Sequence, residues 1–398
     1  MEHASNGPWI ELTESSPHLD AAALPASVEV AVIGGGLTGL ACALYVARGG
    51  AHPIVLEARD DIGRGASGRR SGLVFPGTTE PPFRLVYALG EARAREVFTF
   101  SRENLDLLAA ETPVDRCGGL WGAVDDRERG QLQANRDALA AVGVGAEPWE
   151  PEQVAAATGG TDFGPALHLP GEGLIDPARA VHDLARAAEA AGATIHVGCP
   201  VRDLARESAG VRIDLPGRSL LADVVVLAAE PRLPSIHEFF EDKITPYREQ
   251  AVLTGAVDLP LRVGLRAQYG YFTVRPAPDG GLVVRGARWA TQHMEVGETA
   301  EVPSTKVQAK IDAFVQQRFP AAAAAGVTDR WAWIEAMTCD GLPIVGPLPG
   351  SVRFVSCAGF GGNETGLGIR AARAVADGLL TGRAPGVPSF FSPERFVG

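Results

Sequence analysis

The chain has 398 residues, enough for one large domain or two intimately joined ones, and its 46% apolar and 21% charged content is that of an ordinary globular protein. A net charge of −12 argues against a general nucleic-acid or anionic-membrane binder, since both need a basic surface. Five scattered cysteines without C-x-x-C spacing imply reduced thiols and a cytoplasmic setting; the histidines have no ligand spacing, so no metal site is expected, and Glu2, Glu11, Glu14 and Asp20 do not resemble a signal peptide.

Residues 1–27 are polar, contain proline and read as an irregular arm. The next stretch, "VEVAVIGGGLTGLACALYVARGG", has the length of a membrane span, but Gly34, Gly35, Gly36 and Gly39 divide it. Its first part is a buried β-branched strand. The second is a helix stopped at Gly49–Gly50, and "PIVLE" is another strand. No membrane span is expected.

Residues 83–110 have apolar positions at helical spacing and predict one long or broken helix; a second helix is expected near 127–142. Another α/β block covers 173–230, with a helix started by Pro177 and strands "TIHVG", "GVRIDL" and "DVVVLAA". Residues 244–300 predict antiparallel strands with a Pro-Asp-Gly-Gly hairpin at 278–281. A helix at 304–319, the strand "RFVSCAG" and a Gly-rich turn into a last helix complete the chain. The expected fold is therefore mixed α/β: a Rossmann-like domain discontinuous in sequence (28–82, 160–240 and 330–398) and an antiparallel-sheet substrate domain (83–159 and 241–329).

Gly34-x-Gly36-x-x-Gly39 sits at a strand-to-helix turn. Gly34 suits the tight turn, Gly36 lets a diphosphate approach the backbone, and Gly39 lets helix and strand pack. The phosphates would lie on free N–H groups at the helix N-terminus. Glu57, about twenty residues on, can accept from ribose hydroxyls and disfavours a 2′-phosphate. This leaves NAD or FAD.

Five further motifs make that choice. "GASGRRSG" at 65–72, "GLIDPARAVHDLARAAEAAGATIHVGCPV" at 173–201, "DGLPIVG" at 340–346, "CAGFGGNETGLG" at 357–368 and the closing "PERF" follow in order. With them the chain resembles, over nearly its whole length, the FAD-dependent amine and amino-acid oxidoreductases of the D-amino-acid oxidase, glycine oxidase and sarcosine oxidase superfamily. It looks closest to the gamma-glutamylputrescine oxidoreductase branch. The resemblance implies FAD, with Ala66, Ser67, Gly68 and Arg69 beside the diphosphate and flavin ring, and Val201 at the adenine. Gly361 and Gly362 would approach the flavin, with Asp340 and Ile344 shaping the same wall. It also implies a small-molecule amine or amino acid as substrate: a hydride leaves a C–H next to nitrogen for flavin N5, the imine hydrolyses, and O2 or another acceptor reoxidises the flavin.

Several positions depart from that pattern. Val284 stands where sarcosine-oxidase-type enzymes carry an oxygen-activating lysine, and Trp333 where they attach flavin through cysteine, so non-covalent FAD is expected. Arg288 replaces a histidine and would face the substrate, with Tyr271 as a pocket wall. Glu335 replaces a tyrosine, and Glu364 enters the flavin-facing turn. Two such carboxylates imply either a cationic, polyamine-like substrate or structural pairing with Arg69, Arg70 or Arg288. The rival readings are a 2-hydroxy-acid oxidase or dehydrogenase, which needs an arginine clamp, a biosynthetic tailoring oxidase, and a flavin-binding subunit without catalysis of its own.

Overall fold

The computed structural model describes residues 5–11 and 18–397. Two eight-stranded sheets organise them. The first contains the expected β-turn-helix-β: strand Ser27–Ile33, helix Leu37–Arg48 and strand Ile54–Leu56. Strand Ser27–Ile33 pairs in parallel with Ile54–Leu56 on one side and Arg218–Leu227 on the other. Thr194–His196 and Phe354–Ala358 extend the parallel set outward. Helices Leu37–Arg48 and Glu364–Thr381 pack together, with Pro177–Ala190 beside the first. Every residue of Leu37–Ala47 is buried, which is why that segment is apolar on all faces.

The second sheet is built on two long antiparallel strands, Ile244–Thr254 and Val327–Thr338, paired from Ile244↔Thr338 to Thr254↔Val327. The expected boundary at residue 330 falls inside the second of these strands. Ala166–Leu169 also lies in this sheet, beyond the expected boundary at 160. The predicted hairpin joins Phe272–Pro276 to Leu282–Arg285, with Asp279 accepting from Gly281 N at 3.0 Å. One joint is parallel rather than antiparallel: Gly264–Ala267 against Gly119–Gly122.

The helical run at 83–110 breaks into Pro82–Leu89 and Glu91–Glu111 at Gly90, whose φ of +77° only glycine adopts without strain. Helix Pro177–Ala190 begins as its sequence indicates, with Asp176 accepting from Arg179 N at 3.0 Å and Pro177 in the first turn. Among the described residues, no helix is long and apolar enough to cross a membrane.

Part of the N-terminal arm is built into the core. Residues Pro8–Glu11 form one helical turn, and Trp9 is 0% exposed among Trp331, Trp333 and Leu253, with the Arg275 guanidinium 4.4 Å from its ring centroid. Trp9→Ala removes that filling and is expected to lower unfolding free energy by about 3–5 kcal/mol, read as a loss in the denaturant midpoint at constant slope. An unchanged midpoint would show that the arm contributes nothing to the core.

Candidate active site

A cavity of about 430 Å³ opens between the two sheets. Its floor is the carboxyl ends of the parallel strands: Ile33 and Gly34, Leu56 and Glu57, Ala228 to Glu230, and Cys357. The opposite wall comes from the long strand pair, through Pro246, Ile334 and Glu335. Ser67 and Arg70, from the short helix Ala66–Arg69 and the residue after it, and Glu364, from the start of the last helix, close one side.

The glycine positions behave as spaces. Gly34 has φ +112°, and a Cβ there would stand 2.6 Å from Ala228 O. A Cβ on Gly36 would meet Ser67 Oγ at 2.7 Å, and one on Gly39 would collide with Gly34 O. Gly39 thus lets the helix close onto the turn itself. Glu57 lies at the strand end, where Oε2 accepts from Gly35 N at 2.7 Å and Oε1 from Arg59 N at 2.9 Å.

One expectation needs correction here. The N–H groups at the start of helix Leu37–Arg48 are not free: Leu37 N donates to Ser67 Oγ at 3.1 Å and Thr38 N to Glu364 Oε1 at 3.2 Å. The sequence left them unpaired because both acceptors are remote, 30 and 326 residues along the chain.

Of the residues implied by resemblance, Ala66, Ser67, Val201, Gly362, Glu335 and Glu364 line the cavity. Gly68 instead packs against Gly63 O. Arg69 turns away to pair with Glu301 at 2.7 Å and to donate to Asn6 Oδ1 at 2.7 Å, so of the two adjacent arginines it is Arg70 that lines the cavity. Adjacent residues at the end of one helical turn point in different directions, and the motif alone cannot rank them. Asp340 is exposed and paired with Arg395 of "PERF" at 2.6 Å, while Ile344 is buried in the first sheet; neither is on the cavity wall. Gly361 lies just outside, its carbonyl accepting from Thr79 Oγ1 at 3.2 Å.

Glu335 and Glu364 converge on Arg70, whose Nη2 lies 3.5 Å and 3.3 Å from them. Glu335 also accepts from Tyr247 OH at 2.9 Å and Trp333 Nε1 at 2.8 Å. Burial works against its charge, but Arg70, Arg285 and these two donors outweigh burial and hold its carboxyl below the usual range. Burial, then Glu335 and Glu249, push the Tyr247 phenol well above its ordinary value. A Cβ on Gly362 would strike Tyr247 OH at 2.7 Å and Glu335 Oε2 at 2.8 Å, so this turn needs glycine.

Arg288 lies behind this group, not on the cavity wall. Its guanidinium carbon is 4.4 Å from the Tyr247 ring centroid and 5.8 Å from that of Tyr271, and its Nε pairs with Glu249 at 3.1 Å. Arg285 shares Glu249 at 3.1 Å. Val284, at the position of the expected lysine, is fully buried in the core.

Sequence reasoning named Arg70 only as one of three arginines to pair with Glu335 or Glu364, and missed Tyr247 and Glu230. Glu230 was readable, because it follows the parallel strand Arg218–Leu227 where such folds place ligands. It accepts from Gly359 N and Phe360 N. Protein surrounds the carboxyl at the cavity floor, although the residue is only half-buried because the cavity reaches it. Burial first, then the Glu364 charge, push its carboxyl up to about 8.

Residues 29–378 match the DAO family, described as FAD dependent oxidoreductase. Among curated relatives, the tRNA 5-methylaminomethyl-2-thiouridine biosynthesis bifunctional protein MnmC of Shewanella amazonensis (strain ATCC BAA-1098 / SB2B) is 27% identical over 63% of this chain and 37% of that protein. The chain thus spans well under half of that relative's length. An opine oxidase subunit of Agrobacterium tumefaciens (strain Ach5) is 25% identical, covering 93% of this chain and 98% of the relative. The crystal structure of glycine oxidase from Geobacillus kaustophilus superposes with a TM-score of 0.80 at 20% identity, covering 94% of this chain and 100% of that one, a likeness of fold.

FAD fits the residues present. The cavity runs from Glu57 and Val201 past Gly36 to Gly362 and Glu335; Glu57 retains lone pairs for ribose hydroxyls, and Gly36 itself presents no side chain toward a diphosphate.

Because the folded state raises the Glu230 carboxyl above its unfolded value, it binds that proton more tightly than the unfolded chain does. This contribution is complete below the ordinary carboxyl range and is lost as pH rises through about 8. Melting temperatures from pH 5 to 9 are therefore expected to decline less steeply in Glu230→Gln than in the parent protein. Parallel curves would place no such proton on Glu230.

Proposed function

The chain belongs to the DAO family of FAD-dependent oxidoreductases, and within it we propose that this enzyme oxidises a C–N bond of an amine or amino acid. FAD, held by the Gly34–Gly39 turn, Glu57, Ser67 and Val201, supplies the acceptor for the hydride from the carbon next to nitrogen. The observation that carries the reading is the Glu335 carboxylate, held ionised on the cavity wall by Arg70, Tyr247 and Trp333 beside Gly362.

A protonated amine cannot release a hydride from its neighbouring carbon, since the nitrogen lone pair must be available. Glu335 has three protein partners, which leaves room for one more donor. It is the group placed to attract an ammonium and orient its neighbouring carbon; a carboxyl held this low is too weak a base to keep the proton, which passes to solvent as the free amine forms. Arg70 keeps it ionised, and Tyr247 and Trp333 fix its orientation. The buried Ile334 on the same wall limits hydration there, which strengthens the attraction. Arg288, 4.4 Å from the Tyr247 ring centroid and 5.8 Å from that of Tyr271, supports the Tyr247 ring from behind; neither Arg288 nor Tyr271 lines the cavity. A cytoplasmic setting and O2 or another small acceptor belong to the same proposal.

A second reading has one specific observation in its favour: the relative that covers nearly all of both chains is named as one subunit of an oxidase. In that reading this chain is the flavin-binding part of a larger enzyme.

Anaerobic mixing of the purified flavoprotein with amines, amino acids, N-methyl amines and 2-hydroxy acids separates the readings. Bleaching by an amine supports amine oxidation, and admission of air then tests O2. Bleaching by 2-hydroxy acids alone sinks it, and a flavoprotein that none bleaches favours the reading as part of a larger enzyme. For an amine that bleaches the parent, Glu335→Gln is expected to slow reduction by roughly 100-fold at neutral pH, with partial recovery at higher pH where the free amine prevails. A uniform loss at every pH would remove Glu335 from recognition of the ammonium.

A further inference from the structure

The part of the cavity beside Gly36 already contains an anion. Glu364 Oε1 accepts from Thr38 N at 3.2 Å and Thr38 Oγ1 at 2.9 Å; Oε2 accepts from Ser67 Oγ at 2.9 Å and lies 3.3 Å from Arg70 Nη2. A Cβ on Gly36 would stand 3.9 Å from Glu364 Oε1, so the carboxylate lies directly across the glycine that admits a diphosphate. Glu364 is also the first residue of helix Glu364–Thr381, so the N-termini of two helices meet around it. These hydroxyl, backbone N–H and guanidinium donors are the kind a phosphate requires.

We infer that Glu364 occupies the seat of the cofactor's diphosphate, so that this protein binds FAD against a competing carboxylate of its own. The surrounding charge strengthens the competition. Arg70 is shared between Glu335 and Glu364, so it is not free to neutralise a further anion. A dianionic diphosphate entering this group meets repulsion in a poorly solvated space, or must draw Thr38, Ser67 and Arg70 away from Glu364. Either way the opposition acts on the phosphates and not on the isoalloxazine ring. The inference rests on the cofactor site alone and is independent of the substrate reading.

Binding of FAD, ADP and riboflavin to the apoprotein, measured by calorimetry and flavin fluorescence, tests it with Glu364→Gln, which keeps the side chain's size but removes its charge. Thermal melting checks that the variant folds, and Glu364→Ala is the second variant should it not. The expected result is FAD and ADP binding at least roughly tenfold tighter than in the parent, with riboflavin unchanged within about twofold. Equal or weaker FAD binding in a folded variant overturns the inference, as does riboflavin tightening in step with FAD. Absence of FAD and riboflavin binding in the parent and both variants would overturn the cofactor site as well. Failure of amine to bleach a normally loaded flavin would touch only the proposed reaction.

Discussion

One buried guanidinium ties the cavity together. Arg70 is 7% exposed and lies between Glu335, from a long strand of the second sheet, and Glu364, from the last helix of the first domain. Its Nη1 also points toward Gly362 O at 3.5 Å. Burial opposes its charge, yet the two carboxylates raise its pKa above the usual value. A buried ion of this kind contributes little net stability, because desolvation offsets attraction. Its loss is another matter, since two enclosed carboxylates would then lack a counter-ion. Arg70 therefore acts as a constraint that brings three remote segments to one point.

The cavity wall as a whole is acidic for a dinucleotide site. Glu57, Glu230, Glu301, Glu335 and Glu364 line it against Arg59, Arg70 and Arg232. Part of this charge is neutralised locally, because Arg59 and Arg69 both hold Glu301. Glu230 avoids charge by keeping its proton near neutral pH. Of the rest, Glu57 lies at its strand end, and Glu335 and Glu364 both stand beside Arg70 Nη2. In the proposed reading Glu335 faces the reaction centre and Glu364 the diphosphate, and one cation contacts both.

Two distant segments brace this arrangement. Asn6 and Gly7 of the arm touch Arg69 and Trp331, while Trp331 Nε1 donates to Arg69 O at 2.9 Å, locking the short helix before Arg70 to the second sheet. At the other end, Arg395 joins Asp340 and the carbonyls of Leu342 and Pro343, which fixes the return from the second sheet to the first. The "DGLP" and "PERF" motifs are thus halves of one structural clasp, which explains why Asp340 faces away from the cavity.

The sequence by itself determined the local structure. β-Branched density, the Gly34-x-Gly36-x-x-Gly39 turn, the long or broken helix over 83–110 and the hairpin at 278–281 each follow from backbone preferences within a few residues, and each is found in the fold. It also located the cavity, because a Gly-rich turn at the end of a parallel strand has one place to put a ligand. The tertiary structure alone decided which side chains meet there. Tyr247 stands opposite Glu335 because two strands some ninety residues apart pair in one register. Arg70 rather than Arg69 enters the cavity because Trp331 and Glu301 claim the other residue. Glu364 reaches Thr38 because two helices cross at their N-termini. Propensity acts between neighbours in the chain, whereas charge pairing acts between neighbours in space, and only packing makes the second set known.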